Sequence, residues 1–128
     1  MSFIYISKKD DEKICSAVVM QGTPPEFEHA PYIDAQGDWI KMKTLVEGAH
    51  EMFEKNERIC FDVDHSGGRC HLFPVIENVV LEKDMVRHGT LCKKGAWIMT
   101  IKITDDRIWQ QIKGGKLNGF SPLGVAEA

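Results

Sequence analysis

The sequence predicts an α+β fold, a mainly antiparallel, small barrel-like β domain with about two flanking helices. Three observations lead there. Short runs with strand alternation recur along the chain, only two stretches carry the helical period, and few β-α-β units can be drawn. The 128 residues, 43% hydrophobic, are enough to bury a sizeable core, so one domain over 1–128 is expected.

The elements follow in order. Phe3 to Ile6 and Ile14 to Met20 are strand candidates, rich in β-branched residues. Gln21 to Ala30, with Pro24-Pro25, is a loop, and Asp34-Ala35-Gln36-Gly37-Asp38 is a polar turn. From Lys41 to Lys55 the spacing of Leu45, Ala49, Met52 and Phe53 predicts a helix with these four on its inner stripe. Arg58 to Asp64 alternates, with Ile59, Phe61 and Val63 on one face and Cys60, Asp62 and Asp64 on the other. His65 and the turn Ser66-Gly67-Gly68 follow.

Phe73 to Leu81 is a further strand, in which Glu77 interrupts the row Val75, Val79, Leu81. Gly89 and Lys93-Lys94-Gly95 mark turns. Ala96 to Thr104 is the clearest strand, with Trp97, Met99, Ile101 and Ile103 on one side. Thr104 then reads as the N-cap of a second helix. Asp105 and Asp106 suit its dipole, Ile108 and Ile112 form its inner edge, and Gly114-Gly115 ends it. Gly119 to Ala126, which contains Ser121, is a last short strand.

Composition excludes several classes. A net charge of -3 leaves no basic footprint for nucleic acid. No run approaches the length of a membrane span, and the first residues lack a secretory apolar core. Four cysteines without a secretory leader read as reduced thiols of a cytosolic protein.

Three constellations compete for the chemistry. Cys60, His65, Cys70 and His71 have the right ligand types for zinc, but no Cys-x-x-Cys knuckle or second matching pair is present, so neither a metal nor another cofactor is expected. Asp62 and Asp64 share a strand face, where a solvated surface is the simpler reading. Ser121 lies in a Gly- and Pro-rich stretch, Gly119-Phe120-Ser121-Pro122-Leu123-Gly124, where a turn serine and an exposed nucleophile look alike. Residue types alone leave this choice open.

From about Pro31 to Ala126 the chain resembles the phage prohead maturation proteases, in particular the XkdF-like serine proteases. The resemblance is carried by Asp34 to Asp38, Ala49-His50 with Phe53, His65 after its strand, and Val75-Ile76-Glu77. It continues through Lys93 to Met99, Trp109, Lys113 to Leu117, and Gly119-Phe120-Ser121. It implies a fold like that of the herpesvirus assembly protease, a small β-barrel wrapped by helices. It also implies a serine endopeptidase that cleaves scaffold and major capsid proteins inside the prohead, in the host cytoplasm. No nucleic-acid or membrane partner is implied, and self-association into a homo-oligomer is left open. Carried over by motif, Ser121 is the nucleophile, His65 the general base and Glu77 the acid that orients it. Asp62, Asp64, His71 and His88 are rivals for that third role.

Two positions depart from the family pattern, Ser66-Gly67-Gly68 and Pro122. Proline has no N–H, so residue 122 cannot donate to an oxyanion, and the amides of Leu123 or Gly124 or a basic side chain are the alternatives.

The metal expectation is directly testable. Elemental analysis of the purified protein is expected to find no stoichiometric zinc, and chelation to leave its melting temperature unchanged. One bound equivalent whose removal unfolds the chain would reverse that expectation.

Overall fold

The computed structural model describes residues 4–9, 12–55, 59–63, 71–115 and 120–125. It is α+β with antiparallel ladders. The strands are β1 (Ile4–Lys9), β2 (Ile14–Gln21), β3 (Ile59–Val63), β4 (His71–Leu72), β5 (Val75–Val80), β6 (Met85–Arg87), β7 (Thr90–Cys92), β8 (Ala96–Lys102) and β9 (Phe120–Val125). The helices are α1 (Met42–Lys55) and α2 (Asp106–Lys113).

Among the described residues one four-stranded sheet has the order β1-β2-β8-β5, a second has the order β4-β3-β9, and β6 and β7 form a two-stranded pair. Every strand pair in these sheets is antiparallel. Among the described residues no ladder closes the sheets into the barrel expected from the sequence.

β8 lies between β2 and β5, so both edges of its backbone are hydrogen-bonded. Both of its faces are covered as well. Trp97, Met99 and Ile101 join the main core with Cys15, Ala17 and Val19 of β2, Phe61 of β3 and Phe120 of β9. Leu45 and Ala49 of α1 and Ile108, Trp109 and Ile112 of α2 complete that cluster. On the other face, Ala96 and Ile98 pack with Leu81 and Cys92. The expected row Trp97, Met99, Ile101, Ile103 is thus buried in one cluster.

Three local readings need correction. Phe53 is 37% exposed rather than on the inner stripe of α1. At 3.6 residues per turn it sits roughly 80° around the helix from Leu45, whereas Ala49 and Met52 stay close to the Leu45 line. The N-cap of α2 is Asp105, one residue after Thr104. The Asp105 carboxylate accepts from the amides of Arg107 at 2.9 Å and Ile108 at 3.2 Å, adding negative charge at the positive helix end. The β6–β7 hairpin is the third correction. Its strands are too short to show alternation, and only the Gly89 turn signals it. His88 and Gly89 both take positive φ, 51° and 79°, as a tight two-residue hairpin turn requires.

The segment after β2 is tied back firmly. Thr23, fully buried, accepts at Oγ1 from the Tyr32 amide, and its backbone brackets the start of α1 through Thr23 N–Ile40 O and Met42 N–Thr23 O, 2.8 Å each. Lys94 pairs with Glu26 at 3.0 Å, and the Lys93 ammonium sits 5.2 Å from the centre of the Tyr32 ring. The Gly22 amide donates to the Gly95 carbonyl at 2.8 Å, which brings two backbones into direct contact.

That contact generates a prediction. Gly95 has φ 92°, and a Cβ there would run into the Gly22 carbonyl; Gly37 has φ 84° but open space around it. Gly95→Ala is expected to destabilise the fold by about 3 kcal/mol or more, and Gly37→Ala by only about 1–2 kcal/mol from its backbone conformation. Equal losses in denaturant melts would show that the close approach contributes nothing.

Candidate active site

The β3–β9 ladder brings the serine-bearing strand against the strand that leads into His65. Its register pairs Val63 with Phe120, Asp62 with Ser121 and Phe61 with Pro122. A bulge between Cys60 and Phe61 separates this part from the pair Cys60–Gly124. Among the described residues β9 is the outer strand of its ladder, a position where the missing N–H of Pro122 is tolerated.

Burial explains why this register holds. Phe61 and Phe120 are both fully buried and meet edge to face, with ring centroids 5.8 Å apart and planes at 83°. Phe61 also stacks on Phe73 at 6.4 Å. His71 continues the row, nearly parallel to Phe73 at 5.6 Å. Slipping β9 by one residue would turn Phe120 out of the core, so the aromatic packing sets which residue stands across from Asp62.

His65 lies outside the described residues, as do Asp64 and Cys70, so the expected Ser121–His65 and Glu77–His65 contacts lie outside them too. Among the described residues, no three His, Cys, Asp or Glu side chains gather as a metal site.

Glu77 is described, and its partners are clear. Its Oε1 accepts from an Arg87 guanidinium nitrogen at 2.5 Å and from Thr100 Oγ1 at 3.1 Å. Thr100 is also bonded to Ser16 Oγ at 2.6 Å, and both hydroxyls are buried. Thr100 alternates with the core residues Met99 and Ile101, and Ser16 with Cys15 and Ala17. The network therefore lies on the face of the four-stranded sheet turned away from Phe61 and Phe120. Ile14, Ile76 and His88 complete the shallow recess around it.

This network attaches the β6–β7 hairpin to β5, because Arg87 comes from β6 and Glu77 from β5. The sequence offered no signal for Arg87. It stands ten residues from Glu77, and only the folded hairpin brings the two together.

Comparison with known proteins places the chain among phage proteins. A family model described as "Putative phage serine protease XkdF" matches residues 3–128. Two proteins of Bacillus subtilis (strain 168) are similar at 28% identity. One, "Uncharacterized protein YqbD", matches over 97% of this chain and 35% of its own length. The other, "Phage-like element PBSX protein XkdF", matches over 94% of this chain and 40% of its own length. The chain thus spans well under half of either relative. No solved structure matches.

The Glu77–Arg87 pair predicts a stability effect. The Arg87 side chain is 18% exposed and that of Glu77 35%, so water screens the pair in part. Glu77→Gln is expected to cost about 1–2 kcal/mol by leaving a mostly buried guanidinium without its anion. A double-mutant cycle with Arg87→Met in urea should give a coupling of about 1 kcal/mol. A coupling near zero would reduce the pair to an incidental surface contact.

Proposed function

The chain belongs to the XkdF family of phage serine proteases, and from that premise we propose that it is a serine endopeptidase of head maturation, acting on scaffold and capsid proteins within the prohead. The observation that carries this reading is the β3–β9 register. It sets Ser121 directly across from the strand that runs into His65. The two sheets, sharing one core cluster with both helices, support a single folding unit. The antiparallel strands with two helices are compatible with an architecture related to the herpesvirus assembly protease, which this reading takes from the family resemblance.

In this reading Ser121 is the nucleophile and His65 the general base. A serine hydroxyl attacks poorly until a neighbouring base accepts its proton, and a neutral imidazole suits that near pH 7. The Ser121 oxygen forms a bond to the scissile carbonyl carbon while its proton passes to His65. The imidazolium then protonates the departing amine as the C–N bond breaks, and water releases the acyl group by the same route in reverse. The oxyanion donors are sought at the amides of Leu123 and Gly124, because Pro122 has none. The resemblance names Glu77 as the orienting acid, a carboxylate that already serves Arg87 and Thr100.

A second reading has one observation in its favour. Pro122 removes the amide directly after the serine, which fits a relative that has kept the fold as a capsid-interaction module without catalysis. The two readings separate in one experiment. Cleavage of a scaffold or casein-like substrate and labelling by a fluorophosphonate are followed for the wild type and Ser121→Ala. The protease reading expects both activities in the wild type and neither in Ser121→Ala, with unchanged melting. An inert wild type supports the interaction module, and an active Ser121→Ala protein moves the nucleophile elsewhere.

A further inference from the structure

We propose that the recess around the Glu77–Arg87 pair is a binding site for a primary carboxamide, the side chain of a glutamine or asparagine on a partner peptide. The recess lies on the face of the four-stranded sheet turned away from Phe61 and Phe120, and the proposal does not depend on catalysis at Ser121. It encloses about 350 Å³, within the range of small-ligand sites.

The hydrogen bonds determine which polar groups remain unused. Glu77 Oε1 accepts twice, from Arg87 at 2.5 Å and from Thr100 at 3.1 Å. Because the Thr100 hydrogen goes to Glu77, Ser16 supplies the hydrogen of the 2.6 Å Ser16–Thr100 bond, and both hydroxyl donors are committed. Among the described residues no bond reaches Glu77 Oε2, and the guanidinium gives Glu77 a single contact. A fork-to-fork carboxylate pair would use two parallel N–H groups. Oε2, on the same carbon as Oε1, is therefore an acceptor beside guanidinium donors that have no other partner there.

Charge then selects the class of ligand. An anion would meet Oε2 and a cation would meet Arg87, and like charges brought together in a partly desolvated site repel. A neutral group with donor and acceptor on one side avoids both. The trans peptide group does not offer this, since its N–H and C=O point in opposite directions. A primary carboxamide does. Its NH₂ donates to Glu77 Oε2 while its oxygen accepts from Arg87. Ile14 and Ile76, the second 54% exposed, supply apolar lining for the methylenes of the side chain.

The surroundings favour a peptide over a free amide. The recess is bordered by β5, which among the described residues is bonded to β8 on one side only. An extended peptide can add along such an edge. Its alternate side chains would then fall on the face that carries Glu77.

The test is a methyl NMR titration of the full chain, following Ile14 and Ile76. The probe is the N-acetyl, N-methylamide tripeptide Ala-Gln-Ala, and the controls replace its glutamine by glutamate, lysine or norleucine. The glutamine peptide is expected to shift both isoleucines saturably and to bind at least about tenfold tighter than each control. Propionamide, which carries the same group without a peptide, is expected to bind at least about tenfold more weakly than the glutamine peptide. The double variant Glu77→Leu/Arg87→Met removes both charges without leaving one unpaired, and should lose the preference for glutamine.

No saturable shift, or equal affinity for any control peptide, would overturn the proposal. So would a double variant that melts cooperatively and keeps the preference. Propionamide binding as tightly as the tripeptide would overturn the peptide partner. The selectivity of the wild type is read directly, so the test stands even where the double variant does not fold. A chain inert as a protease that prefers glutamine upholds this site, and an active protease without that preference overturns it.

Discussion

The strand β8 has nowhere to go. Its two edges are bonded to β2 and β5, and its two faces carry separate apolar clusters. A backbone removed from water in this way must find all its partners in neighbouring strands, and its side chains must match two surfaces at once. The register of β2 and β5 follows from that constraint. The turn before β8 is held by the same demand, since Gly95 can only take its positive φ against Gly22 without a side chain.

From β8 the order propagates in two directions. Toward the main core it reaches both helices and then Phe61 and Phe120, which present β3 and β9 to each other. The proposed chemistry depends on that ladder, because the strand carrying Ser121 is held against the strand leading into His65 by two buried aromatic rings. Toward the other face, β8 supports the Ser16–Thr100–Glu77–Arg87 network and the hairpin resting on it. The polar groups there satisfy one another at a sheet surface, which is how a partly buried carboxylate and guanidinium coexist at modest cost.

Ion pairs at the rim have a smaller role. Lys55 reaches Glu51 at 2.5 Å across one turn of α1, and this holds the Glu51 carboxyl below its usual range first by hydrogen bond and then by charge. Both groups are exposed, so the pair decorates the helix without deciding where it lies. The bond from the Trp97 indole to Asn78 Oδ1 at 2.5 Å differs, because it gives a core aromatic a partner for its one N–H across the β5–β8 ladder.

The sequence by itself determined the elements whose signal is local and periodic. The spacing of Leu45, Ala49 and Met52 located α1, the alternation of Trp97, Met99, Ile101 and Ile103 located β8, and Gly114-Gly115 marked the end of α2. Its ordered motifs also led to the right family. Alternation along β3 also placed Phe61 on an inward face, where it is fully buried, because a strand's period of two is written into consecutive residues. The tertiary structure decided what depends on partners far along the chain. Nothing near Glu77 announces Arg87, and nothing near Ser121 announces Asp62, fifty-nine positions earlier. Both pairings are set by which apolar side chains share a core, a global packing condition that no single stretch of sequence expresses.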